Sequence, residues 1–226
     1  MGRRADPEAP ARLLAAARAA FAETGVEAAR IEDICRAAGL SKGAFYLHFE
    51  SKEDAFQHIV ATFFAVMQDL QSQRFEAQHE LRGRVGSPDA HDWAVGSPRL
   101  DDWARLDHEH TVRALQAMWR HRDVLRIILQ HAPGLLDRFA VLANQMCSAQ
   151  LAEAARHGGL RGDLDQELVG ELIVGMYLQL GRRMLRTDRR PDFDAWARAV
   201  DTLIVEGLAN RATAMADRRV SEGRTA

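Results

Sequence analysis

The sequence is poor in cysteine and has no long apolar run. Cys35 and Cys147 are its 2 cysteines, too few for a disulfide framework and without the spacing of a zinc site. No stretch reaches the roughly 18 apolar residues of a membrane span, and the opening M-G-R-R-A-D-P-E-A-P lacks the apolar core of a signal peptide. We therefore expect a cytoplasmic protein with no membrane partner, in which both thiols belong to the core.

The sequence also lacks the common catalytic motifs. It contains no G-x-S-x-G, no P-loop and no dinucleotide fingerprint. The run D-H-E-H at 107–110 offers two carboxylates and two imidazoles. However, histidines two positions apart point to different faces of a helix and do not match the H-E-x-x-H zinc pattern. We expect a protein that is not an enzyme and that uses no metal and no cofactor.

Long alternating runs of apolar and polar residues, which would predict strands, are absent, so we expect an all-α fold. A chain of 226 residues has room for one small and one larger helical domain. Its net charge of −2 gives no general attraction to nucleic acid, so any DNA binding must come from local charge and from dimerisation. The chain has only two lysines, Lys42 and Lys52, and both lie in the stretch described next.

Residues 30–53 carry the most informative pattern in the chain. Ile31, Ile34, Cys35 and Ala38 have the i, i+3, i+4, i+7 spacing of a short helix with one buried face. Gly39 follows the last of them, and a glycine there can take the left-handed conformation that ends a helix in a tight turn. This pattern predicts a first helix over residues 31–38 and a sharp turn after it.

A second helix is predicted from Lys42 to Phe49. Ser41 can cap its first turn, and Phe45 and Phe49, four residues apart, would anchor it inward. Its other positions combine small residues, which permit close approach, with polar tips that can reach phosphates and base edges in a DNA major groove. These outward positions are Lys42, Gly43, Ala44, Tyr46, Leu47 and His48.

A third helix is predicted to begin near Lys52. Ser51 and Asp54 have the spacing of a capping box. Lys52 would then lie at a helix N-terminus, where free amides and the ammonium together favour a phosphate. Two short helices joined by a glycine turn form a helix-turn-helix.

The run A-A-G-L-S-K-G-A-F-Y-L-H-F-E-S-K-E resembles the DNA-binding signature of the TetR family of bacterial transcriptional regulators, and the resemblance is dense over about residues 10–56. It implies a helix-turn-helix DNA-binding domain over residues 1–53 and a larger helical ligand-binding and dimerisation domain over residues 54–226. It also implies a double-stranded DNA operator as partner. The residues expected to contact DNA are Arg30, Ser41, Lys42, Gly43, Ala44, Tyr46, Leu47, His48 and Lys52.

Helical periodicity continues along the rest of the chain, interrupted by glycine and proline between residues 82 and 98. The predicted helices outside the motif cover approximately residues 10–24, 54–81, 90–95, 100–120, 123–131, 135–157, 166–186 and 193–211. In the resembling family, the long helix after the motif carries the ligand signal to the DNA-binding helices.

The last two predicted helices carry glycine and apolar residues that would permit close helix approach and bury an apolar seam in a homodimer. An intrachain core could use the same pattern, but a dimer suits a palindromic site because both have two-fold symmetry. The residues concerned are Gly170, Gly175, Gly181, Ala197, Val200, Ile204 and Gly207.

Large apolar residues mixed with a few polar ones on the later helices are typical of a small-ligand site. The aromatic and methionine content favours an apolar or aromatic effector over a sugar or phosphate. The residues expected to line the site are Trp103, His110, Trp119, Met146, Met176, Tyr177 and Gln179.

The sequence thus predicts a homodimeric repressor that leaves its operator when a small molecule binds. An activator or a ligand-independent regulator remains an alternative within DNA binding. An enzyme or small-molecule carrier built on the C-terminal helices is the alternative from another class. It predicts turnover or binding that survives deletion of residues 1–52.

Overall fold

The structure is a computed structural model that describes residues 6–156 and 160–208. Within these residues the regular elements are α-helices, as the sequence predicted. They are α1 (Ala9–Thr24), α2 (Ile31–Ala38), α3 (Lys42–Tyr46), α4 (Lys52–Val85), α5 (Ala90–Val95), α6 (Pro98–Arg120), α7 (Arg122–His131), α8 (Pro133–Arg156), α9 (Gln166–Met184) and α10 (Phe193–Leu208).

Most helix ends lie within a few residues of their predicted positions, and α2 and α5 match them. The largest difference in the helix-turn-helix is α3, which ends at Tyr46 and not at the predicted Phe49. A tight turn replaces its last part, because the His48 amide donates to the Phe45 carbonyl at 3.0 Å. The Phe49 amide still donates to the same carbonyl at 2.9 Å, which keeps Phe49 on the inner side. The ends predicted near residues 157 and 211 lie outside the described residues.

The caps predicted around the motif are present. Gly39 has φ +67° and ends α2 in the left-handed conformation. The Ser41 hydroxyl accepts the Ala44 amide at 3.2 Å, and the Ser51 hydroxyl accepts the Asp54 amide at 3.1 Å. The Asp54 carboxylate accepts the Glu50 amide at 3.0 Å, so the helix-turn-helix has the local geometry that its sequence indicates.

The described chain forms two compact units. The first unit contains residues up to Met67 together with residues 118–138, and the second contains residues 68–117 and the chain from Phe139 onward. Helices α4, α6 and α8 therefore supply residues to both units. This division differs from the expected one at residues 53 and 54, because the start of α4 and the whole of α7 group with the helix-turn-helix. The functional boundary after residue 53 stays a prediction.

Helix α1 lies at the centre of the first unit. It packs against α2, α3 and α7, and its inner face is fully buried at Leu13, Ala17 and Phe21. The Phe21 ring meets the edge of Phe56 with centroids 6.3 Å apart. Helix α7 is amphipathic and buries one face in this core, namely Val124, Leu125, Ile127 and Ile128.

An ion pair joins α1 to the start of α7. The Arg18 guanidinium donates two hydrogen bonds to the Asp123 carboxylate and a third to the Arg120 carbonyl at 2.8 Å. Burial alone would favour the neutral acid at Asp123. The hydrogen bonds and charge of Arg18 outweigh that effect and hold the pKa of Asp123 below its usual range. We call this arrangement the Arg18–Asp123 clamp.

Asp123→Asn is expected to lower the free energy of unfolding of the first unit by about 1–2 kcal/mol at neutral pH, a range reduced for partial exposure. Because the folded-state pKa of Asp123 is lowered, the clamp stabilises the protein above the unfolded-state pKa and loses its effect as pH falls through the folded-state pKa. Urea unfolding of both proteins between pH 7 and pH 3 measures the difference, which should shrink toward acid pH. A constant difference would mean that the carboxylate charge is not involved.

In the second unit, several of the residues predicted to form the dimer seam are buried within the chain itself. Gly170 and Gly181 are buried, as are Ala197 and Val200. A Cβ atom added at Gly170 would lie 2.5 Å from the Ser148 hydroxyl of α8, so this glycine permits close packing of α9 on α8. These four residues therefore pack inside the chain, as the alternative to a dimer seam predicted.

None of the helices in the described ranges combines the length and the apolar character that crossing a membrane requires.

Candidate functional site

The exposed side of α3 and of the turn after it is the first candidate site. We call it the reading surface, and its residues are Ser41, Lys42, Gly43, Ala44, Tyr46, Leu47 and His48. Tyr46 is 58% exposed and Leu47 is 79% exposed, whereas the neighbouring Phe45 is fully buried. The Phe45 ring packs on the Phe49 ring within the core, with centroids 5.5 Å apart. The two phenylalanines thus hold the short helix by one side and leave the other side to solvent.

The reading surface combines flat and projecting positions. A Cβ atom added at Gly43 would find only the Ser41 hydroxyl within 4 Å, at 3.7 Å, so a ligand can approach the helix backbone there. Ala44 and His48 are half-buried. Tyr46 is exposed, and its ring rests edge-on against Phe45 with centroids 5.6 Å apart. This arrangement presents a phenol, an imidazole and an aliphatic tip around a smooth patch of backbone.

Lys42 does not stand alone on this surface, because its ammonium forms an ion pair with Glu32 of α2. The hydrogen bond with Glu32 raises the pKa of Lys42, and the same bond lowers the pKa of Glu32. Both side chains are about half exposed, at 54% and 51%. An exposed pair of this kind is worth little free energy, so a phosphate can displace the carboxylate at small cost.

Lys52 and Arg30, the two residues expected to contact phosphate at the edge of the surface, differ in whether their charged groups bind to other parts of the chain. The Lys52 ammonium donates to the carbonyls of Glu27 and Ala29, the latter at 3.2 Å. It therefore ties the start of α4 to the connection between α1 and α2. Arg30 is exposed, and its carbonyl accepts the Asp33 amide at 3.1 Å at the start of α2. The guanidinium of Arg30 is thus the freer of the two cations for a phosphate.

The second candidate site is a partly buried polar cluster in the second unit. The Arg74 guanidinium of α4 donates to the Asp107 carboxylate of α6 at 3.0 and 3.2 Å, and the Gln78 amide donates to the same oxygen at 3.0 Å. The charge of Asp107 raises the pKa of Arg74. Burial raises the pKa of the nearby Cys147 thiol, although the charge of Arg74 opposes this effect. Cys147 is therefore protonated at neutral pH and is a poor nucleophile.

The polar cluster continues from α6 to α9 and α10. The Asp201 carboxylate accepts the Thr111 hydroxyl at 2.9 Å and lies 2.8 Å from Nδ1 of His108. The Tyr177 hydroxyl donates to the Thr111 hydroxyl oxygen at 3.4 Å, and burial raises the pKa of Tyr177. With Arg74, Gln78 and Asp107, these residues make two hydrogen-bonded sets that share α6 and together draw on α4, α6, α9 and α10.

The structure brings only some of the predicted ligand residues into this region. Tyr177 belongs to the cluster. Burial lowers the pKa of His110, and the positive charges of Arg113 and Arg74 lower it further. Met146 and Met176 are half-buried on α8 and α9 of the same unit.

The other three predicted ligand residues are placed differently. Trp119 belongs to the first compact unit, where the Arg122 guanidinium lies 4.2 Å from its ring centre. The Trp103 indole donates to the Gly86 carbonyl at 3.0 Å, so its polar edge secures the connection after α4. Gln179 is exposed on α9, because it follows Leu172 and Gly175 along the outer side of that helix.

Sequence reasoning missed Glu32 at the reading surface and most of the polar cluster. Asp107 and His108 had been considered only as metal ligands, and their partners Arg74 and Asp201 lie far away in sequence. No local pattern marks such pairs, because they depend on which helix faces meet. In the described ranges, no group of three or more His, Cys, Asp or Glu side chains is placed to hold a metal ion.

Comparison with known proteins gives matches over the motif and beyond it. A family model described as bacterial regulatory proteins, tetR family, matches residues 13–59. The HTH-type transcriptional repressor KstR2 of Mycobacterium tuberculosis is 35% identical over 165 residues, which are 71% of this chain and 74% of that protein. The repressor AcnR of Corynebacterium glutamicum is 32% identical over 114 residues, which are 50% of this chain and 57% of AcnR.

The fold is also similar to that of solved structures. NalD, described as the secondary repressor of the MexAB-OprM multidrug efflux pump in Pseudomonas aeruginosa, superposes with a TM-score of 0.57 at 21% identity. The superposition covers 90% of this chain and 97% of NalD. At this level of identity the likeness concerns the fold alone.

Proposed function

Because this chain belongs to the TetR family of bacterial regulatory proteins, we propose that it is a DNA-binding transcriptional repressor of the cytoplasm. Its reading surface enters the major groove of a palindromic operator. The observation that carries the proposal is the contrast along α3 and the turn after it, where Phe45 is fully buried while Tyr46 and Leu47 are 58% and 79% exposed. These exposed aromatic and aliphatic tips are available to contact base edges in the groove. The relatives are regulators, and no catalytic role is proposed.

The nine DNA contacts predicted from the sequence remain the proposed contacts, with different roles. Tyr46, Leu47 and His48 meet base edges, whereas Ser41, Gly43 and Ala44 allow the backbone to approach the groove. Arg30 and Lys42 neutralise phosphates. Lys52 acts mainly by fixing the start of α4 against the carbonyls of Glu27 and Ala29.

A homodimer supports this function, because two reading surfaces related by a two-fold axis match two half-sites. Helix α9 leaves Leu168 and Leu172 exposed at 52% and 64%, and α10 leaves Leu203 exposed at 68%. Added Cβ atoms at Gly175 and Gly207 would meet nothing within 4 Å. These five residues, and not the buried glycines, form the proposed contact with a second copy.

An effector is proposed to bind beside the polar cluster of the second unit. Met146 and Met176 provide apolar surface, while His110 and Tyr177 provide polar groups, a combination that suits an apolar or aromatic molecule with one polar end. The effector releases the operator only if it binds the DNA-incompetent state more tightly than the DNA-bound state. Helices α4 and α6 supply residues to both units and are the continuous elements through which that preference can act.

Selection of random duplex DNA by the purified protein tests the central claim. An enriched palindrome with half-site centres about one helical turn apart is the expected result. Repeating the selection at several salt concentrations separates sequence-specific from purely ionic binding. Binding that stays blind to sequence at every salt concentration would contradict the proposal.

Glu32→Gln is expected to strengthen binding to all duplexes. The slope of the logarithm of the binding constant against the logarithm of salt concentration should become steeper by about 0.9, the value for one additional phosphate contact. The reason is that Lys42 loses its intramolecular partner and is free to pair with DNA. Fluorescence anisotropy with a labelled duplex across salt concentrations measures both effects.

The matched control for Glu32→Gln is Asp33→Asn on the same helix. Asp33 is also exposed, and it pairs with Arg36 at 2.8 Å and not with Lys42. The control variant has the same change in net charge. Equal strengthening by both substitutions would show that net charge, and not release of Lys42, causes the effect.

A further inference from the structure

Arginine is concentrated where α9 ends and α10 begins. Residues 182–192 read R-R-M-L-R-T-D-R-R-P-D, with five arginines and two aspartates. This segment and the first turn of α10 line a shallow cleft of roughly 640 Å³ that is open to solvent. The residues that line it are Arg183, Arg186, Thr187, Arg189, Arg190, Pro191, Asp192 and Trp196.

Two of the lining guanidinium groups are held by aromatic rings. The Arg183 Cζ atom lies 5.3 Å from the centre of the Trp196 ring, and the Arg190 Cζ atom lies 5.2 Å from the centre of the Phe193 ring. Cation–π contacts of this kind restrict the side chains without neutralising their charge. The cleft therefore has cationic groups that are partly ordered before any ligand arrives.

The charge of these arginines is not balanced locally. Within residues 6–156 and 160–208, none of Arg183, Arg186, Arg189 and Arg190 forms an ion pair with a carboxylate. The one carboxylate in the lining, Asp192, accepts the Ala195 amide at 2.9 Å and so caps the first turn of α10. The chain as a whole has a net charge of −2, so this excess of positive charge is a local feature.

A structural explanation covers only part of the cluster. Cations in the last turn of a helix offset its dipole, and Arg182 and Arg183 lie in the last turn of α9. Arg186, Arg189 and Arg190 come after Met184, where α9 ends. The dipole gives no reason for three further arginines on the wall of one cleft.

We propose that this cleft binds a small polyanion, a molecule that carries two or more phosphate or carboxylate groups. Guanidinium groups donate paired hydrogen bonds that match both kinds of anion. Thr187 adds a hydroxyl, whose oxygen accepts the Arg189 amide at 3.1 Å and whose proton is free to donate. The site shares no residue with the reading surface or with the polar cluster, and it does not depend on the repressor function.

Calorimetric titration of the full chain, without DNA, tests the proposal. Tripolyphosphate and citrate are the probes, one for each anion chemistry, and saturable binding of one probe molecule per chain is expected for at least one of them. The double substitution Arg186→Gln with Arg190→Gln should weaken that binding by about tenfold or more, since each removes charge-assisted hydrogen bonds.

The matched control is Arg182→Gln with Arg198→Gln. Both residues are exposed on α9 and α10 and lie outside the lining, and the change in net charge is the same. This control variant should keep wild-type affinity. Equal weakening in both double variants would overturn the proposal in favour of diffuse attraction, and so would the absence of saturable binding of either probe to the wild-type chain.

Analytical sedimentation of the same proteins tests whether a second copy of the chain, and not a small polyanion, occupies the cleft. If the lining arginines instead pair with acidic residues of a second copy, the Arg186→Gln and Arg190→Gln variant will change its oligomeric mass while the control variant does not. That result would also overturn the proposal. An unchanged mass together with lost probe binding supports it.

Discussion

Tyr46→Ala is expected to lower affinity for the selected operator by about 10- to 100-fold, the effect of losing one or two good base contacts. Binding to random duplexes should change little, because no charge is removed. The folded protein should also persist, since the ring is 58% exposed and contributes mainly an edge contact to Phe45. Anisotropy titrations with operator and random duplexes, together with thermal unfolding, measure the three quantities.

Phe75→Ala is the matched control for this experiment. Phe75 is an aromatic residue of similar exposure, 56%, on α4 in the second unit. Its substitution should leave both DNA affinities unchanged. If Tyr46→Ala lowers the unfolding temperature and leaves the operator preference of the folded fraction intact, Tyr46 is a packing residue and the reading surface has been assigned wrongly.

Gly25→Ala is expected to cause the largest loss of stability. Gly25 follows α1 with φ +85° and ψ 162°, a backbone region essentially reserved for glycine, and strain of this kind costs about 1–3 kcal/mol. The new methyl group would also lie 2.7 Å from the His131 ring, at the end of α7. The unfolding free energy should fall accordingly in urea titrations.

Two comparisons separate the causes of that loss. His131→Ala in the same chain should relieve the collision and recover only part of the stability, because the backbone strain remains. Gly39→Ala serves as the control, since Gly39 has φ +67° but nothing within 4 Å of an added Cβ atom. A smaller effect at Gly25 than at Gly39 would contradict the proposed close approach of α1 and α7.

The helix-turn-helix could be predicted from the sequence because its signals are local. The glycine after Ala38, the cap at Ser41 and the paired phenylalanines each act within one or two turns of helix. The same reasoning correctly placed Phe45 inside and Tyr46 outside. It overestimated the length of α3, because the spacing of Phe45 and Phe49 is compatible with either a helix or a tight turn.

The remaining features depend on contacts between distant segments. The Lys52 ammonium donates to carbonyls 25 and 23 residues earlier in the chain. Gly170 packs closely against Ser148 of another helix. A glycine on a predicted helix indicates close approach but does not identify the neighbour. The sequence therefore suggested a dimer seam where part of the pattern serves intrachain packing. The predicted ligand set included Trp119 for a similar reason, since the pattern does not show that the end of α6 joins the first unit.

The packing of α7 against α1 has a consequence for hybrid regulators. A chimera that joins the first 60 residues of this chain to the remainder of a relative would separate Arg18 from Asp123 and would pack α1 against a foreign α7. The graft would then carry a defective core even if the join in α4 were seamless. Residues 118–138 must be transplanted together with the helix-turn-helix, so the exchangeable part of this protein is discontinuous in the gene.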